Sequence, residues 1–175
     1  MANIVKLSCL RYNFPALIDF MKIERGVEIG TLYGYFSYHL LRYSKLNELW
    51  SVDSWTGKYQ RYHKDAIAHL SEFGERSRIV RMASVEAAGL AEQTHNTFGF
   101  IYIDANHLSS FVQQDIDAWL PQLERPGILA GHDYIDGVRK VGVISVVDKL
   151  AEKLGMPVYV TREEWASWFF VFGER

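Results

Sequence analysis

The chain has 175 residues, a formal net charge of −2 and 49% apolar content, 14% of it aromatic. That length suits one domain with a sizeable core, and the near-neutral charge excludes a broad basic field for nucleic acid or an anionic membrane surface. The single cysteine, Cys9, excludes an internal disulfide, and with neither a basic-then-apolar leader nor an apolar stretch approaching ~20 residues the expectation is a soluble cytoplasmic protein with no membrane partner.

Short apolar runs alternate with longer amphipathic ones, the pattern of βαβ units around a mostly parallel sheet. In chain order, strands are expected at Gly26–Ile29, Leu49–Val52, Arg78–Arg81, Phe100–Ile103, Ile128–Ala130, Pro157–Val160 and Ser167–Phe172. Helices are expected over 14–23, 34–46, 62–74, 84–93, 109–124 and 138–154. The helix at 109–124 is read with Phe111, Ile116, Trp119, Leu120 and Leu123 on its buried side and Gln113, Asp115 and Asp117 toward water. Its expected stop is Arg125-Pro126-Gly127, because proline cannot continue a helix. Only Thr161–Ala166 separates the last two strands, too short for a crossover, so they should pair antiparallel at one sheet edge. The expected architecture is a Rossmann-like three-layer α/β sandwich, with a seven-stranded sheet and an antiparallel last strand. It forms a single domain over 1–175, in which 1–25 is a short N-terminal cap.

Chemistry-bearing residues gather where strands end, the edge at which open parallel sheets bind ligands. The first strand runs into Gly30-Thr-Leu-Tyr-Gly34 and then a helix. The spacing is Gly-x-x-x-Gly, without the further glycine that lets a pyrophosphate approach, which disfavours a nicotinamide-dependent oxidoreductase. A glycine pair kept only for packing explains it equally well. Asp53, 23 positions after Gly30, ends the second strand where an acid can accept both ribose hydroxyls, or merely cap a loop. Asp104 and His107 follow the fourth strand, and His132 and Asp133 follow the fifth. Two carboxylates and two imidazoles there suit proton transfer or metal chemistry.

Glu28-Ile-Gly30 with Gly34, Val52-Asp53-Ser-Trp55, Ile101-Tyr-Ile-Asp-Ala-Asn-His107 and Gly131-His-Asp-Tyr134 resemble class I S-adenosylmethionine-dependent methyltransferases. The nearest branch is the small-molecule O-methyltransferases that include the macrocin and mycinamicin sugar enzymes. The resemblance implies that Glu28, Gly30 and Gly34 hold the methionine part of the cofactor and Asp53 its ribose. It also implies that Ser84 lies near the adenine, although Ala83 stands where the branch often has an acid. Trp55 would cover the adenine by stacking, or simply pack. In metal-dependent members the matching positions, Asp104, Asp133 and His132, bind a divalent ion. An imidazole at His132 suits Mg²⁺ poorly and leaves a softer metal, or none, open.

His107 is implied as general base, with Asp104 as the alternative proton acceptor, since an imidazole titrates near neutrality. The expected reaction is O-methylation of a small hydroxylated acceptor, sugar or natural-product-like, with no nucleic-acid substrate. With so few residues before the first strand, the acceptor pocket must come from Ser54–His63, Tyr134–Lys140 or a neighbouring subunit of a homo-oligomer. The rival reading is a catalytically weak or inactive module of the same fold that binds a nucleoside cofactor.

Overall fold

The computed structural model describes residues 1–137 and 141–174. Its strands are β1 (Ile4–Lys6), β2 (Arg25–Ile29), β3 (Glu48–Asp53), β4 (Ser77–Arg81), β5 (Phe98–Ile103), β6 (Leu123–Gly131), β7 (Val158–Val160) and β8 (Trp168–Phe172). The helices are α1 (Phe14–Phe20), α2 (Tyr35–Tyr43), α3 (Tyr62–Leu70), α4 (Ser84–Gln93), α5 (Ser109–Trp119) and α6 (Val143–Leu154). The first residues expected in α6, 138–140, lie outside the described residues.

One sheet contains all eight strands in the order β1-β7-β8-β6-β5-β2-β3-β4, parallel except at β8, which pairs antiparallel with both β6 and β7. Alternation of side chains divides the core into two layers. Val27, Ile29, Ile101, Ile103 and Leu129 pack with the buried stripes of α4, α5 and α6. Phe100, Tyr102, Ile128 and Ala130 pack with α1, α2 and Leu70 of α3 on the other face. All six residues of β5 are buried, as a central strand covered on both faces requires.

Three expectations are corrected. The sheet has eight strands rather than seven, because the N-terminal segment contributes β1, parallel to β7. The reversed strand is therefore internal, lying between β6 and β7 rather than ending the sheet. Helix α5 ends at Trp119 and not at Pro126. Pro121 has no N–H for the next helical bond, so the chain tightens into a 3-10 turn over Leu120–Gln122 and enters β6 directly. Pro126 lies within β6, where the pairing with β5 shifts register between Phe98 and Phe100, so the missing donor breaks no ladder bond. The faces of α5 are also not as expected. The buried stripe is Val112, Asp115, Ile116 and Trp119, whereas Phe111 is 45% exposed.

Candidate functional site

A cleft of about 770 Å³ runs over the carboxyl ends of β5, β2, β3 and β4, a size suited to a nucleoside-sized ligand with room beside it. Its lining includes Glu28, Gly30, Asp53, Ser84, Asp104 and His107 of the expected residues.

The floor is the turn after β2. Gly30 has φ +95°, and a Cβ there would lie 2.1 Å from the backbone oxygen of Asp104. Only glycine permits this contact between the β2 turn and the end of β5. Gly34 (φ +82°) is not in the cleft lining; it starts α2 in the left-handed region and lies against Ala66 and Leu70 of the α3 segment. Asp53 ties the turn to β3. Its Oδ2 accepts from Leu32 N at 2.9 Å and its Oδ1 from Trp55 N at 2.8 Å, leaving each oxygen a further lone pair for a ligand hydroxyl.

Trp55 itself is fully buried, stands outside the cleft lining and donates from Nε1 to Leu32 O at 2.7 Å. The stacking surface expected of it is not what this side chain presents; its ring instead props the turn from beneath, beside His63. Glu28, 2% exposed, accepts from Ser37 Oγ, which also bonds Ser51 Oγ. Burial pushes its carboxyl up to about 8 despite that hydrogen bond, so at neutral pH it is mostly protonated.

The other end is a network of side chains from β5, β6 and the N-terminal segment. His107 Nδ1 lies 3.0 Å from Asp133 Oδ2. His132 Nδ1 lies 2.9 Å from Asp133 Oδ1 and 3.6 Å from Asp104 Oδ1. Burial opposes a charged imidazole at His132, but hydrogen bonds to both carboxylates push it up to about 9, and it is protonated at neutral pH. Burial alone would raise Asp133; His132 and His107 instead hold it below the usual carboxylate range. Asp133 has φ +58°, a conformation aspartate tolerates better than most residues.

Arg11, which sequence reasoning missed, reaches the cleft from the segment after β1. Its Nη1 is 3.6 Å from Asp104 Oδ2 and its guanidinium lies over the Phe36 ring. Glu163, between β7 and β8, anchors that segment by accepting from Arg11 N at 2.8 Å. Nothing in the local sequence around Arg11 marks it, because only the β1–β7 pairing brings it here.

Asp104, His107 and Asp133 each offer a ligand atom within 4.8 Å of the others. Yet both carboxylates already face a protonated imidazole or a guanidinium, and the third donor is a nitrogen. A hard divalent ion prefers oxygen and would meet two positive charges here, so this donor set does not fit Mg²⁺.

Of the segments expected to bind an acceptor, Ser54, Thr56 and Tyr59 line the cleft, whereas Arg61, Tyr62 and His63 do not. Tyr134 is also outside it, donating to Asp148 at 2.6 Å, and residues 138–140 lie outside the described residues. Tyr33, Tyr35, Phe36, Met82, Phe111 and Asp115 complete the wall and were not singled out from the sequence. No helix among the described residues is long and apolar enough to cross a membrane.

Residues 27–134 match the family described as "Methyltransferase domain". An uncharacterized protein of Sinorhizobium fredii, y4gI, is 26% identical over 128 residues, which is 67% of this chain but only 14% of that protein's length. Among solved structures, an O-methyltransferase from Bacillus cereus, crystallised with S-adenosylhomocysteine, superposes with a TM-score of 0.73 at 14% identity, covering 92% of this chain and 79% of that one. TomG, an O-methyltransferase of tomaymycin synthesis from Streptomyces achromogenes in complex with S-adenosylmethionine, gives 0.68 at 14% identity, with 93% and 79% covered. The N-methyltransferase NodS from Bradyrhizobium japonicum gives 0.65 at 15%, with 94% and 95% covered. At such identities the likeness is one of fold, and it spans both oxygen and nitrogen acceptors.

Proposed function

The chain belongs to the methyltransferase-domain family, and from that premise we propose that it transfers the methyl group of S-adenosylmethionine to a hydroxyl of a small acceptor in the cytoplasm. The observation that carries the choice of oxygen is the His107–Asp133 pair at the open end of the cleft. A hydroxyl, unlike an amine, is a poor nucleophile until a base removes its proton.

The cleft's groups suit such a ligand. Asp53 has lone pairs for two ribose hydroxyls, and the Gly30 turn leaves backbone where a side chain would intrude. Glu28 and Arg11 offer an acid and a guanidinium to an amino-acid moiety. A ligand ammonium beside Glu28 would favour its ionised form, compensating a carboxyl that burial otherwise keeps protonated.

When bound, the cofactor supplies an electrophilic methyl carbon on sulfur. Asp133, buried and facing His107 Nδ1, fixes the tautomer that carries hydrogen on that nitrogen and leaves Nε2 free to accept. His107 takes the acceptor's proton as its oxygen bonds to the methyl carbon and the carbon–sulfur bond breaks. Asp133 stabilises the imidazolium that results, and the protonated His132 keeps Asp133 ionised and in place. Alignment of oxygen and methyl group supplies much of the acceleration. The mechanism uses no resident metal, consistent with the donor set. The acceptor, a sugar or natural-product-like hydroxyl compound, would lie between His107 and the wall formed by Tyr33, Tyr35 and Tyr59.

The test is methyl transfer from labelled cofactor to a panel of sugars and phenols, read by mass, with and without a chelator. His107→Gln should lower turnover by roughly 10²–10⁴-fold with S-adenosylhomocysteine affinity unchanged. Unimpaired turnover in that variant, or no cofactor binding by the unmodified chain, would overturn the proposal.

A further inference from the structure

Helix α5 contributes two residues to the cleft wall, Phe111 and Asp115, one turn apart on the same side of the helix. Phe111 is 45% exposed and offers a ring face, whereas Asp115 is 5% exposed. The Asp115 carboxylate has a single donor from the protein. Trp119 Nε1 donates to Ser84 Oγ at 3.0 Å, and the Ser84 hydroxyl in turn bonds Asp115. A nearly buried carboxylate with unused lone pairs is costly unless something else donates to it.

Its position says what that would be. The ribose-matched acid, Asp53, ends β3, and Met82 N donates to Asp53 O at 3.1 Å, so the β4 turn of Met82, Ala83 and Ser84 is the next part of the cleft outward. Four carboxyl residues line the cleft: Glu28, Asp53, Asp104 and Asp115. Asp115 is the one beside Ser84, beyond the ribose acid and away from the proton-transfer network at β5 and β6.

Resting on the cofactor reading above, we propose that α5 builds the nucleobase subsite: Phe111 covers the ring face, and the Asp115 carboxylate accepts an N–H from the exocyclic amino group. Adenine has that donor, whereas a 6-oxo purine presents a second acceptor and leaves two oxygens facing each other. Burial pushes the Asp115 carboxyl up to about 6, which leaves it ionised, an acceptor only, at pH 7.5. The arrangement explains the fully buried Trp55, since the stacking face is supplied from the opposite side of the cleft by Phe111.

The experiment is calorimetric titration of the whole chain at pH 7.5 with S-adenosylhomocysteine and with its 6-oxo (hypoxanthine) analogue. The unmodified chain should favour the adenine compound by at least about 30-fold, because the analogue leaves the buried acceptor unpaired. Asp115→Asn, whose amide can donate to a 6-oxo group, should lose roughly tenfold for the adenine compound and narrow or invert the preference. Phe111→Ala, at a half-exposed position, should weaken both ligands by about tenfold without changing their ratio. Equal binding of the two ligands by the unmodified chain, or undiminished discrimination in a folded Asp115→Asn protein, would overturn the proposal. Unchanged affinity in Phe111→Ala would overturn the stacking half of it. If the unmodified chain binds neither ligand, the cofactor reading itself fails.

Discussion

The two ends of the cleft are held in different ways. At the β2–β3 end the ligand-facing surface is largely backbone: a glycine turn pressed against the end of β5 and pinned by Asp53 through two main-chain N–H groups. At the β5–β6 end it is a set of side chains, Arg11, Asp104, His107, His132 and Asp133, drawn from three parts of the chain and balanced by charge. A backbone site depends on local conformation, so it is spoiled by sterics and protected by folding. A charge network depends on its partners, so it can lose function while the fold persists. Substitutions at the two ends should therefore fail differently.

The largest effect is expected at the point where the two ends touch. Gly30→Ala puts a methyl group 2.1 Å from Asp104 O at a φ of +95°. Strain and overpacking together should cost about 4 kcal/mol or more, a large part of the stability of an ordinary domain. Thermal melting should show it, with cofactor binding lost as well. A near-native melting temperature would mean that the turn can yield and that the backbone end is less rigid than described.

Glu28 gives the backbone end a pH signature. Its folded-state value of about 8 lies above the ordinary 4.5, so between these values the folded chain keeps a proton that the unfolded chain has released. Stability should therefore be greatest below about 4.5, as far as this group is concerned, fall as pH rises through the window, and level off above about 8. Glu28→Gln should remove roughly 2–4 kcal/mol of that slope. The comparison is cleanest between pH 5 and 6.5. Above that range His132, raised to about 9 from 6.5, also loses its stabilising charge in the folded chain as pH rises. Parallel stability curves for the two proteins would show that Glu28 is not held protonated.

Much of the contrast between the ends explains what the sequence could reveal. Glycines 30 and 34 and Asp53 are legible because backbone requirements are local: a strand, a turn with φ above zero, a helix. Asp104, His107, His132 and Asp133 are legible as strand-end residues, but their pairing is not, since it depends on the β5–β6 register and the backbone angle at Asp133. Arg11 was invisible because β1 is three residues long and gains meaning only beside β7. Asp115 was misplaced for a different reason. The stripe of Val112, Ile116 and Trp119 already places position 115 on the buried side, but charge outweighed periodicity in the reading. A carboxylate on an apolar stripe was the available signal, and it pointed to the cleft.

At the charge-network end, Asp133→Asn should leave the fold and the cofactor affinity nearly intact while lowering turnover by about 10–100-fold, because His107 loses the partner that sets its tautomer. Losing that carboxylate also removes a hydrogen bond that keeps His132 protonated. Turnover against pH in the variant, with S-adenosylhomocysteine titrated in parallel, separates orientation of the base from binding. Equal losses in turnover and affinity would make Asp133 part of the scaffold rather than a positioning residue.

The smallest effect should come from Trp55, where two roles predict opposite readouts. As a prop beneath the turn, Trp55→Phe keeps the buried ring and loses one hydrogen bond, leaving Leu32 O without that donor. The cost should be about 1–2 kcal/mol, or a melting point lower by roughly 2–6 °C. Affinity for S-adenosylhomocysteine should then change by no more than about threefold, since the ring does not line the cleft. Trp55→Leu removes the aromatic face altogether and should melt lower still, yet a stacking role would also demand roughly tenfold weaker binding in every variant that remains folded. Stability that falls while affinity holds would assign Trp55 to the backbone end as structural support, and leave Phe111 as the aromatic face that the ligand meets.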